Sequence, residues 1–518
     1  MFNLRTTAEI SFFDLFLIFF ITLVLGSGLV ISSSFGAKWF LLTVMGYTAI
    51  GVGLFFKDIR LYAVWFLSLC IPIGVQYKLF SRGGQQFFVE HFGGAPDEPI
   101  VNLVDLPIVF LCLLWVIDFG VSKMEMPSWT IFDTWVAVFL IVSIFSVYNT
   151  TEHTLLIAEV VRYLKYYVVY WALRTYISGP VYIWGIIAIS LLVLGLQGII
   201  ALAQYFLYFQ LPLTVGGVRE SHFQMVAGTV IQRVTGILGH TNTFAAYLSV
   251  TVSGASTILF ARIPAWCRVI VVPFVFLGSL SLVLTFSRNS WLTFALCGGM
   301  VAGFLIWKQK LSKLIVVSSL IIGIFVAGLF FGFGLENSIN SISGKRFDSL
   351  SLNVINTAFA RIFEDDGKAY ESRWDLFWVA VEMIKENPVF GIGLNSFEEN
   401  MTRYDRSGIT NIIQQPVHNI YMLIAAETGI PSLMAFLVAG AIMIKYSFAL
   451  AKRDDELSFV TGMFGLCTFV GLGFSNMFDV TLRKEPIIGM AVIVAALVIS
   501  LRDLPPATVS IDAKAEDH

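Results

Sequence analysis

"VYIWGIIAISLLVLGLQGIIALAQYFLYF", residues 181–209, runs from end to end without an Asp, Glu, Lys or Arg. A helix rises about 1.5 Å per residue, so about 20 such residues cross a hydrocarbon core of about 30 Å. This stretch therefore reads as a membrane span, and the same reading extends in both directions. Apolar segments near 10–32, 38–56, 61–77, 103–120, 131–148 and 154–177 precede it. Others near 241–260, 268–286, 290–307, 313–333, 430–450, 457–476 and 486–501 follow it. Together they make about 14 expected spans. Composition agrees: 57% of the 518 residues are hydrophobic and 13% charged, where a soluble chain carries about a quarter charged. The expected fold class is an all-α, polytopic transmembrane helical bundle.

The first apolar stretch, about Ile10 to Ile31, is longer than a signal-peptide core and is expected to be a retained first helix. A net charge of -2 argues against a nucleic-acid partner. The five cysteines, Cys70, Cys112, Cys267, Cys297 and Cys467, form no C-x-x-C pair and read as small hydrophobes. No His/Cys cluster has zinc spacing. The Glu364-Asp365-Asp366 run offers hard oxygen ligands, but a lone acidic run in a polar loop is usually solvated, so no metal is expected.

Lys and Arg in short turns set orientation. Lys57, Arg60, Lys123, Arg174, Arg262, Arg268, Lys308, Lys310, Lys313, Lys452 and Arg453 alternate correctly to share one side, read as cytoplasmic. Both termini then lie inside, and connections near 78–102, 210–240 and 334–417 lie outside. The division expected is a membrane region 1–333, a large outer loop 334–417, C-terminal spans 418–503 and a disordered cytoplasmic tail 504–518. Arg219, Arg233, Arg288, Arg361 and Arg373 fall on the outer side, where the positive-inside rule does not call for them. Arg288, in the tight turn "TFSRNSW", is least explained as a loop arginine.

Within the outer loop, Ser372 and Asp375 read as an S-x-x-D capping box that starts a helix. Trp374, Phe377, Trp378, Val381 and Ile384 recur at helical spacing. Such a helix would lie on the membrane or roof a cavity, with Arg373 beside its apolar stripe.

Three constellations carry chemistry. In "QQPVHNIYMLIAAETGIPSLMAF", His418 reads as opening a short helix, with Asn419 and Glu427 following. Gly429 lies about three turns on, and Gly429 and Pro431 make a stop and restart. His418 either caps the loop or acts as a base facing an outer cavity. In "IQRVTGILGHTNTFAAYLSV", Arg233 suits bidentate phosphate binding, while His240 and Asn242 also belong to a glycine-rich turn into a helix. In "AEVVRYLKYYVVYW", Glu159, Arg162 and Lys165 share one broad side of a span. Glu159 and Arg162 can neutralise each other, which leaves Lys165 as an expected cavity cation.

The blocks "QRVTGILGHTNTFAAYL", "LTFSRNSWL", "ESRWDLFWVAVEMIKENPVFGIGLNSF" and "VHNIYMLIAAETGIPS" resemble, in this order, those of the bacterial O-antigen ligase/O-antigen polymerase family. That family includes some protein O-oligosaccharyltransferases. The resemblance covers about 232–436. It implies a GT-C-like glycosyltransferase of the inner membrane with its active site facing the periplasm. The donor implied is a glycan on undecaprenyl diphosphate, and no cofactor is called for. It implies His418 as the acid/base or acceptor-orienting residue. The arginines, Arg233, Arg288, Arg373 and Arg219, with Arg162 and Lys165, would hold diphosphate or substrate. Asn419, Glu427, Gly429, Asn242 and His240 would orient them.

The higher span count favours a polymerase of a surface polysaccharide. A ligase acting on lipid A-core is the alternative, and a protein O-oligosaccharyltransferase another. A transporter is the different-class alternative, since buried charge in spans suits one. No paired repeat supports it.

Overall fold

The computed structural model describes residues 51–53, 55–73, 76–78, 100–122, 125–207, 223–226, 229–308, 367–411 and 415–504. The expected spans 10–32 and 313–333, most of 38–56, Arg219, Arg361, the acidic run and the tail lie outside them. So do Lys123, Lys310 and Lys313.

The chain folds as helices α1 Ile59–Cys70, α2 Asp105–Ser122, α3 Ile131–Phe145, α4 His153–Tyr176, α5 Pro180–Leu207, α6 Thr241–Ser256 and α7 Ala265–Leu284. It continues with α8 Arg288–Trp307, α9 Gly367–Glu386, α10 Phe397–Tyr404, α11 Ile420–Thr428, α12 Ile430–Lys452, α13 Glu456–Ser475 and α14 Glu485–Asp503. Two short antiparallel hairpins interrupt this pattern. Gln76–Lys78 (β1) pairs with Ile100–Asn102 (β2), and Phe223–Val226 (β3) with Thr229–Gln232 (β4). The second hairpin and β2 fall in connections expected as loops, whereas Gln76 and Tyr77 of β1 fall at the end of the expected span 61–77.

Among the described residues, eight helices are long and apolar enough to cross a membrane: α3, α5, α6, α7, α8, α12, α13 and α14. This marks a multi-pass membrane protein. The count of 14 is not reached among these residues. The expected span 61–77 forms as α1, only 12 residues long, because the chain turns at Ile71-Pro72. The expected span 154–177 does form, as α4, but it carries charge along its length.

Burial separates a central layer from a lipid-facing ring. α6 is buried along its whole apolar length, and α13 and α14 over most of theirs, whereas α3 and α12 are mostly open. Val109, Leu113, Ile141, Leu192, Ile199, Val269 and Leu292 point outward, as expected where hydrocarbon is the solvent. Inside, small residues let helices approach. A Cβ on Gly462 would lie 2.3 Å from the Ala451 backbone nitrogen, so α12 and α13 meet almost backbone to backbone.

Local signals fix the ends. Thr130 and Asp133 form a reciprocal capping box at α3, and Asp455 caps α13. Pro431 and Pro486 sit in the first turns of α12 and α14.

Basic turns gather at one end of the bundle. Lys308 donates to the carbonyls of Lys452 and Arg453 at 2.9 and 3.2 Å, and Arg453 to that of Leu501 at 3.3 Å. Arg174 joins α4 to Asp133 and Asp503, each at 3.2 Å. The opposite end carries α9, α10 and α11, whose own small core contains Leu376, Val379, Met383, Phe397, Met401 and Leu423.

That core corrects the reading of α9. The buried stripe is Leu376, Val379, Ala380 and Met383, while Trp374 and Trp378 are exposed. The helix begins at Gly367, so Ser372 lies inside it and is not its cap.

Candidate functional site

The link between α13 and α14, "SNMFDVTLRKEP" at 475–486, organises the end opposite the basic turns. Asn476 folds it: its side-chain oxygen accepts from Leu482 N at 3.0 Å, and its carbonyl accepts from Ile420 N at 2.9 Å. The link is thereby tied to the start of α11. Asn419 adds a second tie. Its side-chain oxygen caps α11 by accepting from Tyr421 N and Met422 N at 3.0 and 3.1 Å, and its amide donates to Met477 O at 3.0 Å. His418 therefore stands before the cap and outside the helix, so it does not share a helical face with Gly429 as expected.

Asp479 is presented from this link to the start of α6 and to the residue before the cap of α11. Its Oδ2 accepts from Asn242 Nδ2 at 3.0 Å, in the first turn of α6. Its Oδ1 stands 4.0 Å from His418 Nδ1, an ion-pair distance too long for a hydrogen bond. The other imidazole nitrogen, Nε2, lies 3.1 Å from Gln415 Oε1. Asn242 Oδ1 in turn accepts from Arg233 Nη2 at 3.1 Å, while Arg233 Nε donates to Thr285 O at 2.8 Å. The result is a chain Arg233–Asn242–Asp479–His418 at the ends of α6, α7, α11 and α13.

Electrostatics within this cluster follow from burial and charge. Burial acts to lift the Asp479 carboxyl, but His418, His240 and the Val480 N–H outweigh it and hold the group down at about 2. Asp479 is thus an anion at neutral pH. His240 is pushed down to about 4, first by burial and then by Lys484, with Arg233 and His418 adding to the effect. Its Nδ1 lies 3.3 Å from the Thr243 N–H and accepts from it, so His240 serves as the neutral N-cap of α6.

The other expected arginines divide. Arg288 opens α8 three residues after Thr285, whose carbonyl receives Arg233, and the next residue, Asn289, donates to Ser475 O at 2.8 Å. Arg288 is thus placed at the edge of the same cluster. Arg373 is exposed on α9. Arg162 is buried against Glu159 and the carbonyl of Arg483. Lys165, expected as the cation left over, instead pairs with Asp105 at 3.0 Å and Glu485 at 3.1 Å. Those partners arrive from α2 and α14, so the trio reading of one helix could not include them.

Behind the cluster lies a buried brace. Arg483 reaches Glu427 at 3.4 Å and Asn395 at 2.5 Å, and Glu427 also accepts from Phe397 N at 3.3 Å. Burial pushes the Glu427 carboxyl up to about 7 against the pull of Arg483, with Glu398 adding to the rise. Gly429, at φ 88°, turns the chain from α11 into α12, and Ile430 N donates to Pro388 O at 2.8 Å. The segment 388–397 is thus locked onto α11.

Sequence reasoning missed Asp479, Arg483 and Lys484. Their signal was present: a charged run between two apolar segments on the side that already held unexplained arginines. No group of His, Cys, Asp or Glu that could hold a metal occurs among the described residues. The arrangement brings a guanidinium, a carboxamide, a carboxylate and an imidazole together at one end of the bundle.

Residues 273–437 match the family model described as O-antigen ligase. A search of curated proteins found no match. The matched stretch runs from α7 into α12 and contains Thr285, Arg288, Arg373, His418, Asn419, Glu427 and Gly429, whereas Arg233, Asn242 and Asp479 flank it. The match supports a membrane enzyme of the ligase or polymerase type. Over residues 273–437 the chain is thus similar to the O-antigen ligase family, one side of the ligase/polymerase grouping that the sequence blocks resemble.

Proposed function

We propose that this protein is a glycosyltransferase of the bacterial inner membrane that works at the periplasmic face on glycans carried by undecaprenyl diphosphate. The observation that carries the reading is the convergence of Arg233, Asn242, Asp479 and His418 at the ends of apolar helices. An acceptor hydroxyl loses its proton to His418 as its oxygen attacks the anomeric carbon. The bond from that carbon to the diphosphate oxygen breaks, and the electron pair leaves on the lipid diphosphate. Arg233, with Arg288 beside Thr285, offsets the charge that develops there. Asp479 stabilises the imidazolium that His418 becomes. The planar guanidinium suits a diphosphate, and no step calls for a metal.

The acceptor defines two readings. Extension of a growing surface polysaccharide was favoured by the span count. Transfer to lipid A-core is the alternative, compatible with the description of the matched family, O-antigen ligase. A deletion strain separates them: single-repeat chains indicate the polymerase, and full-length chains left on the lipid carrier indicate the ligase. Purified protein with lipid-linked glycan tests the enzyme itself. Release of undecaprenyl diphosphate supports it, whereas uptake into liposomes with no bond cleaved would make the protein a transporter.

A further inference from the structure

The charge-free stretch 181–209 carries two glutamines, Gln197 and Gln204, and both are buried in α5, at 0% and 7% exposure. Seven residues make about two helical turns, so they share a face and stand about 10 Å apart along the axis. A carboxamide inside an apolar bundle is costly unless its hydrogen bonds are made. Here the turn that follows Arg233 makes them. Gln204 Oε1 accepts from Thr235 N at 3.1 Å and from Gly236 N at 2.9 Å, and its Nε2 donates to Gly236 O at 2.9 Å. Gln197 Oε1 accepts from Ile237 N at 2.8 Å, and its Nε2 donates to Pro72 O at 2.9 Å, just beyond α1.

The turn therefore dips along α5 to reach the deeper glutamine, which lies about 15 Å from the end of that helix at Leu207. Irregular backbone at such depth is tolerated only where protein covers it, and Val234, Thr235 and Leu238 are all buried. Gly236 is pressed onto Gln197: its φ is 57°, and a Cβ on it would lie 2.3 Å from Gln197 Oε1. On the other side, Val234 N donates to Leu284 O at 3.4 Å, one residue before the carbonyl that receives Arg233. The turn is thus held between α5 and the end of α7.

We propose that Gln197 and Gln204 are positioning residues. They hold 233–239 as a re-entrant turn at fixed depth and thereby set the height at which the Arg233 guanidinium meets the lipid diphosphate. The inference rests on the glycosyl-transfer reading for the diphosphate, and on the carboxamide contacts for the turn. Each side chain gives its oxygen to backbone N–H groups and its nitrogen to a backbone carbonyl. Neither a carboxylate, which has no donor, nor a thioether, which is a weak acceptor alone, reproduces that pairing.

A double-mutant cycle provides the test. The full-length protein is purified as wild type, Gln204→Met, Arg233→Lys and the double variant, and each is titrated with undecaprenyl diphosphate. Gln204→Met is expected to weaken binding about tenfold when Arg233 is present, the scale of a lost hydrogen bond to a charged group. Once Arg233 is lysine, the same change should cost less than about twofold, because residues that act through one contact are not additive. A glutamine that only stabilises the fold would cost the same in both backgrounds, and that result overturns the proposal. So does undiminished binding by Gln204→Met. Hydrogen exchange of the wild type needs no variant: amides 235–237 should exchange as slowly as those of α6, and exchange as fast as at an open chain end overturns the proposal. Slow exchange in a wild type that binds no undecaprenyl diphosphate leaves the held turn standing and removes the glycosyl-transfer reading.

Discussion

Asp479 Oδ1 stands 4.0 Å from Nδ1 of His418, although the two residues come from different links at the end of the bundle. Nδ1 has no hydrogen-bond partner among the described residues, while Nε2 faces Gln415. The open Nδ1 thus faces a carboxylate, and the ring is placed to take a proton from an acceptor hydroxyl. His418→Ala is expected to lower turnover by about 10²–10⁴-fold, the usual contribution of a general base, with the donor still bound. Turnover of purified protein, normalised to the folded fraction by size exclusion, is the measurement. Wild-type turnover per folded molecule would remove His418 from the mechanism and leave it a loop residue.

Arg233 bridges two carbonyl oxygens with separate nitrogens, Nε to Thr285 at 2.8 Å and Nη2 to Asn242 at 3.1 Å. A lysine keeps the charge but has no fork to span both. Arg233→Lys is expected to weaken donor binding by about ten- to a hundredfold, since a hydrogen bond to a charged group contributes about 1.5–3 kcal/mol. Titration with lipid diphosphate reads this directly. If binding to Arg233→Lys equals the wild type, charge alone suffices and the planar geometry carries no weight.

The pH dependence of stability follows from Asp479, whose carboxyl is held at about 2 in the folded protein. An unfolded Asp titrates near 3.9. A depressed carboxyl stabilises the fold above the unfolded value and loses that contribution as pH falls through the folded one. The contribution is about 2.6 kcal/mol for a shift of this size. Asp479→Asn should therefore melt below the wild type at pH 6–7, and the gap should close as pH is lowered from about 4 toward 2. A gap that stays constant across that window would mean that Asp479 carries no favourable charge interaction.

Much of the bundle was legible because a span announces itself in consecutive residues. Residues 181–209 needed no partner to be read, and the structure places α5 over nearly the same positions. The site was legible only in pieces. Arg233, Asn242 and His418 each stood out locally, but Asp479, which joins them, lies 237 residues from Asn242. Lys165 was misjudged for the same reason: its carboxylates sit 60 and 320 residues away. Ser372 shows the converse error. Its S-x-x-D spacing is a real cap pattern, yet the preceding residues continue the helix back to Gly367, so the local signal was overridden.

The brace behind the site predicts a structural phenotype. Glu427 and Arg483 are 3% and 2% exposed at the side chain and face each other at 3.4 Å. Removing one partner of a buried pair leaves the other charge uncompensated, at a cost of about 3–5 kcal/mol. Glu427→Ala is expected to lower the melting temperature sharply and reduce the yield of monodisperse protein. Glu427→Gln should be milder, because the amide oxygen can still accept from Arg483 and the Phe397 N–H. Equal stability of both variants and the wild type would show that Arg483 is held by Asn395 and its remaining contacts alone.

Gly429 ties the brace to the membrane helix, and two observations say that no other residue fits. Its φ of 88° lies where a Cβ is strained, at about 1–3 kcal/mol for a non-glycine residue. A Cβ there would also lie 2.0 Å from the Val389 carbonyl oxygen, which is backbone and has no rotamer to turn away. Across the same crossing, a Cβ on Gly391 would meet the Glu427 carbonyl carbon at 2.2 Å, so the two strands of chain pack with nothing between them. Gly429→Ala must therefore push 388–391 away from α11, which loosens the hold of Glu427 on Phe397 N and Arg483. The expected result is a lower melting temperature together with faster proteolysis near 387–393. Gly440→Ala is the matched control. It sits in the interior of α12 with open space around it, and there alanine is favoured over glycine by about 1 kcal/mol, so its melting temperature should hold or rise. If the two alanine variants melt together, the crossing at Gly429 is not the joint that fixes α11 to α12.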